Sequence, residues 1–157
     1  MSRKFTSENL NTIVPKDENI VVFCNLNFNF TDDVVNFLEL NEIYSKIKKV
    51  KEDENVYIEN IYKIVEKERT ILLPVVQICM GATSNFILIQ KMLSSSFSYS
   101  KYKGKDVSVY NLCDREYKIP YKFLAKYILL STNEFLDKNL TINIKDEELL
   151  KTIIEME

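Results

Sequence analysis

The sequence contains no histidine. That removes the side chain whose charge changes near neutral pH, and with it the Ser-His-Asp and Cys-His nucleophile pairs and the commonest zinc ligand. Only two glycines are present, Gly81 and Gly104, so neither a P-loop nor a dinucleotide fingerprint can be written. Apolar runs of about 18 residues, the length of a membrane span, are lacking, and no apolar stretch follows the charges of Arg3 and Lys4. The chain is therefore expected in the cytoplasm or nucleus. Cys24, Cys79 and Cys113 are odd in number and far apart, and they read as small buried hydrophobes rather than a disulfide framework.

What is present suffices for a core: of 157 residues, 46% are hydrophobic and 28% charged. The net charge of -2 argues against a surface built throughout to neutralise phosphates. Residues 1–18 are polar, carry Pro15 and show no period, which predicts a flexible or loosely docked N-terminal arm. Residues 19–157 read as a single compact α+β domain, with any subdivision near 95–105.

Within it, the apolar run 20–24 and the alternation of Leu26, Phe28 and Phe30 with asparagines predict a short hairpin. Helical spacing of Val34, Val35, Leu38, Ile43, Ile47 and Val50 predicts one long helix over 32–50, capped by Thr31 with Asp32 and Asp33 in its first turn. Val56 and Ile58 suggest a strand, and Ile61, Ile64 and Val65 a brief helical period. The almost uniformly apolar stretch 71–80 fits a buried strand or a buried helix equally. Two short strands over 107–119, a helix over 121–137, an alternating strand over 140–144 and a terminal helix follow. The carboxylates Glu52, Asp53 and Glu54 come directly after Lys46, Lys48, Lys49 and Lys51, which reads as a solvated, charge-paired turn rather than a cation site.

Side by side, the halves repeat a ββαβα order, a degenerate two-fold repeat: Asn41-Glu42-Ile43 matches Asn133-Glu134-Phe135, and Asn55-Val56-Tyr57-Ile58 matches Asn139-Leu140-Thr141-Ile142. This order resembles the BTB/POZ fold shared with the Skp1 and elongin C adaptors. The likeness is carried by Asp106-Val107-Ser108-Val109, Tyr117-Lys118-Ile119, Thr132-Asn133-Glu134-Phe135 and Leu140-Thr141-Ile142-Asn143-Ile144. The resemblance implies a protein-binding adaptor that partners a ubiquitin-ligase scaffold or associates with itself. Leu40 stands where that family commonly has serine, and the second unit ends without the family's helical array.

These observations favour a non-enzymatic protein-binding module, an adaptor, inhibitor or assembly factor, without cofactor, metal or catalytic residue. The candidate partner site is the connector 94–105, where Phe97, Tyr99 and Tyr102 stand among Lys101 and Lys103 outside any strand or helix period. They serve there either as an aromatic anchor or as a lid folded onto the core. The alternative is an RNA- or ribonucleoprotein-associated factor that uses these Lys/Tyr groups or the 46–51 lysines. A third reading, a thiol enzyme using Cys113 beside Asp114 and Arg115, has no histidine to serve as its base.

Overall fold

The computed structural model describes residues 3–7, 10–76, 90–92, 94–96, 98, 106–112, 120–133 and 139–157. Six strands among these residues form one sheet: β1 (Arg3–Thr6), β2 (Asn19–Val22), β3 (Ile61–Val65), β4 (Thr70–Pro74), β5 (Val107–Tyr110) and β6 (Leu140–Asn143). Their order across the sheet is β1-β6-β5-β2-β4-β3. Every neighbouring pair is parallel except β3 with β4, a hairpin at one edge.

Helices α1 (Asp32–Leu40), α2 (Tyr44–Asp53), α3 (Tyr121–Asn133) and α4 (Glu147–Met156) cover both faces of the sheet. Ile20, Val22, Ile71 and Leu73 pack with Val34, Phe37, Leu38 and Ile47 on the α1–α2 side. Val21, Leu72, Val107, Val109 and Ile142 pack with Leu124, Ile128, Leu149 and Ile153 on the α3–α4 side. Alternation along each strand feeds the two cores in turn, so β2, β4 and β5 are buried at every position.

The handedness of parallel crossovers explains why the helices divide. A crossover between parallel strands is right-handed almost without exception. From β2 the chain moves one way across the sheet to β4, and from β5 it moves the other way to β6. The connecting helices must then leave on opposite faces.

This architecture corrects the α+β expectation of short hairpins, third strands and a two-fold ββαβα repeat. The chain is a three-layer α/β molecule with a mostly parallel sheet. Leu26, Phe28 and Phe30 do not extend a hairpin. They lie in the connection from β2 to α1, where Asn25 Oδ1 accepts from the Asn27 and Asn29 amides at 3.1 and 2.9 Å and curls the backbone. Residues 55–60 form a turn and not a strand, whereas Ile61–Val65 is strand and not helix.

The single long helix is two. Asn41 and Glu42 interrupt it, Glu42 being left-handed at φ 61°, with the Ile43 amide closing back on the Leu38 carbonyl at 2.8 Å. Buried Asn41 fixes that break, accepting from the Val14 amide at 2.7 Å and donating to the Thr12 carbonyl at 3.0 Å. Of the ambiguous stretch 71–80, residues 71–74 are strand, and 77–80 lie outside the described residues. Arg3–Thr6, within the expected arm, forms edge strand β1 against β6. Among the described residues no helix is long and apolar enough to cross a membrane.

Candidate functional site at the carboxyl edge of the sheet

Helices that leave neighbouring parallel strands on opposite faces open a crevice between the strand ends. Here that crevice lies between β2 and β5, whose chains depart to α1 on one face and α3 on the other.

The floor is tied down by backbone and amide hydrogen bonds. Phe23 N–H donates to the Tyr110 carbonyl at 3.1 Å, and Asn111 Nδ2 donates to the Phe23 carbonyl at 2.8 Å. On the other flank, Cys24 N–H donates to the Pro74 carbonyl at 2.9 Å and Val76 N–H to the Cys24 carbonyl at 3.0 Å. The Cys24 thiol donates to the Val22 carbonyl at 3.2 Å, and burial holds its pKa far above the ordinary thiol range. It is a packed, protonated thiol without nucleophilic character.

Three residues at this edge occupy the left-handed region, Phe28 at φ 52°, Glu59 at φ 72° and Asn111 at φ 59°. Asparagine tolerates that conformation; for phenylalanine it is a strained exception, kept by burial of the ring and its edge-to-face contact with Tyr62 at 6.2 Å. Thr31 begins α1 without capping it through its side chain. Its hydroxyl instead bonds to Asp33 and accepts from Lys145 Nζ at 3.1 Å. Lys145 also reaches Asp33 Oδ1 at 3.2 Å and Oδ2 at 3.1 Å. Asp33 feels burial, which raises its pKa, but the hydrogen bonds from Thr31 and Lys145, the Lys145 charge and the Val34 amide outweigh it and hold the carboxyl below its ordinary value.

Next to this contact an open pocket of about 670 Å³ is lined by Tyr121, Lys145, Asp146, Glu147 and Glu148. Asp146 caps α4, accepting from the Glu148 and Leu149 amides at 3.0 and 3.2 Å, and also bonds the Tyr121 hydroxyl.

The residues singled out from sequence do not form this site. Phe97, Tyr99, Lys101, Tyr102 and Lys103 lie outside the described residues, as do Cys113, Asp114 and Arg115. Lys46 pairs with Glu66, and Lys48 lies 4.7 Å from the Tyr44 ring centre, so two of the four α2 lysines make contacts within the chain. Glu52 and Asp53 end α2, with Glu54 as its C-cap, all exposed. Among the described residues no three His, Cys, Asp or Glu side chains are grouped to hold a metal. The crevice residues were legible only as a local pattern, an apolar run, an apolar–Asn alternation that reads as a strand, and Thr31-Asp32-Asp33. That is also the pattern of a strand leading into a helix.

Comparison with solved structures identifies the fold. A point mutant of the Oceanobacillus iheyensis macrodomain matches with a TM-score of 0.72 and 12% identity over 96% of this chain and 87% of that one. A second point mutant of the same macrodomain, solved with ADPR, matches with a TM-score of 0.67 and 14% identity over 88% and 83%. The Trypanosoma brucei macrodomain in complex with ADP matches with a TM-score of 0.61 and 15% identity over 98% and 66%. An alphavirus P23pro-zbd structure matches with a TM-score of 0.66 and 14% identity; this chain is covered over 99% but spans only 23% of that one. No protein-family model matches the sequence, and no curated protein does either.

The chain has the macrodomain fold. That overturns the BTB/POZ, Skp1 and elongin C resemblance, whose order of short strands and helices was matched by pattern while the parallel pairing of the sheet was not visible. The adaptor reading with its protein or self-association partners, drawn from missing catalytic motifs and from that resemblance, and the RNA-factor alternative, drawn from Lys/Tyr groups, are overturned as well, since the neighbours are macrodomains, two of them solved with ADP or ADPR.

Proposed function

We propose that the chain binds ADP-ribose, or the ADP portion of a larger molecule, across the carboxyl edge of its sheet. The observation that carries this reading is the position of the crevice, at the point where the chain leaves β2 and β5 on opposite faces. Open α/β sheets bind ligands at such a point, where loop amides and helix starts face one another. The ADP and ADPR complexes of structural neighbours support the ligand class.

The groups this edge offers are suited to holding. They are the Asp32 and Asp33 amides at the start of α1, which the Thr31 side chain does not cap, the backbone of the 25–31 connection and the Lys145 ammonium; the Val34 amide is taken by Asp33 Oδ1 at 3.0 Å. At this edge the Cys24 thiol is kept protonated by burial and offers no nucleophile to a bound ligand.

Isothermal titration calorimetry with ADP-ribose, ADP, AMP and adenosine tests the binding. Saturable one-to-one binding that weakens from ADP-ribose to adenosine is expected. Absence of heat with all four at millimolar concentration contradicts the reading. Incubation with an ADP-ribosylated protein is expected to release no ADP-ribose, and its release would show an enzyme.

A further inference from the structure

Lys145 and Asp33 belong to opposite faces of the sheet. Lys145 follows β6 and opens onto α4, in the layer with α3, whereas Asp33 lies in the first turn of α1, in the other layer. In the sheet β5 stands between β6 and β2. A contact from the end of β6 to the start of the helix after β2 therefore passes over the carboxyl end of β5, across the crevice.

An ammonium has three protons to donate. Here Lys145 has three contacts, all at the start of α1: Thr31 Oγ1 at 3.1 Å, Asp33 Oδ1 at 3.2 Å and Asp33 Oδ2 at 3.1 Å. Asp146, Glu147 and Glu148 line the adjoining pocket together with Lys145 and make that surface acidic. A cation engaged in this way offers little to an anion until its internal partner gives way.

We infer that Asp33 is a built-in competitor for the ligand's phosphates: it holds Lys145 across the crevice and hands it over to the diphosphate on binding. This rests on the ligand class proposed above. The clasp acts as a threshold. A ligand with two adjacent phosphates presents enough charge to replace the carboxylate, while a neutral nucleoside meets a crevice still strapped shut. Asp33 and Lys145 are about half exposed, at 48% and 49%, so exchange of partners needs no rearrangement of the core.

Calorimetry with ADP on the full chain tests the clasp in the wild type, Asp33→Asn, Asp32→Asn, Lys145→Met and the Asp33→Asn/Lys145→Met double variant. Asp33→Asn is expected to bind ADP roughly tenfold more tightly, the order of one charge-assisted hydrogen bond released from competition. Asp33→Ser is expected to move affinity in the same direction and serves if the asparagine variant fails to fold. Lys145→Met weakens binding, and in its background the gain from Asp33→Asn disappears. Asp32→Asn removes the same charge one residue away without touching the clasp, so its effect is expected to stay below roughly threefold, under 1 kcal/mol.

If the wild type binds ADP and Asp33→Asn binds no better, the clasp is overturned while the proposed function stands. Equal tightening by Asp32→Asn also overturns it, since a general charge effect then suffices. Binding by none of the variants overturns both.

Discussion

Asn111 holds the carbonyl of Phe23 with its side-chain amide at 2.8 Å, so the residue after β5 fastens the end of β2 at the floor of the crevice. It does so from the left-handed region, at φ 59°. The two properties separate by mutation. Asn111→Gly keeps the backbone conformation and loses the hydrogen bond, whereas Asn111→Ala loses both. Urea denaturation is expected to show a cost of about 1 kcal/mol for glycine and about 2 kcal/mol for alanine. Equal stability of both variants with the wild type would show that the bond does not hold the strand ends.

Leu38 and Phe123 both occupy amphipathic helical sequence, and the structure treats them oppositely. Leu38 is fully buried on α1, while Phe123 is 55% exposed on α3. Leu38→Ala is expected to cost about 2–5 kcal/mol through lost burial and the cavity left behind. Phe123→Ala is expected to stay within about 0.5 kcal/mol. Denaturant melts of the two variants check this, and comparable losses would place Phe123 in the core.

That contrast marks how far the sequence could be read. Apolar period located α3, α4, β5 and β6 within a few residues, because that signal is local. Phe123 follows Tyr121 in a helix whose buried positions are Leu124, Ala125, Ile128, Ser131 and Thr132, so two polar residues stand on its inner face and blur the stripe. Strands buried on both faces lose the alternation that marks one-sided strands, which left 71–80 ambiguous; Ile61–Val65, an edge strand with only Tyr62 buried, passed for helix because Ile61, Ile64 and Val65 also fall at helical spacing. Parallel pairing, such as Ile20 with Ile71 and Ser108, joins residues far apart in sequence and leaves no local trace. The crevice depends on that pairing, so Asn25, Asn111 and Lys145 carried no signal as a group. Asn41 and Glu42, which break the helix, appeared only as part of a supposed repeat.

The Asp33–Lys145 clasp has a defined pH window. Burial works to raise the Asp33 pKa, yet its hydrogen bonds and the Lys145 charge hold it below the ordinary value. A carboxyl depressed on folding contributes stability above its unfolded pKa, about 3.9, and that contribution is lost as pH falls through the lower folded value. The clasp is therefore closed throughout the neutral range and opens only in acid. Carboxyl carbon NMR titration is expected to place the Asp33 midpoint below about 3.9 and to move it upward in Lys145→Met. A wild-type midpoint at or above about 3.9, or one unmoved by the substitution, would show that the pair does not persist in solution.

The central claim is that an ADP-ribose-type ligand enters at the carboxyl edge of the parallel strands, and amide NMR during a titration with ADP-ribose tests it most directly. The two edges of the sheet are cleanly separated. Residues 25–31, Asn111, Leu112, Lys145 and Asp146 lie at the ends of β2, β5 and β6, while residues 12–18 and 66–69 lie at the opposite edge beside the starts of β2 and β4. Saturable shifts confined to the first set are predicted, with the second set unmoved. Shifts centred on 12–18 and 66–69, or no shifts at saturating ADP-ribose, would contradict the account.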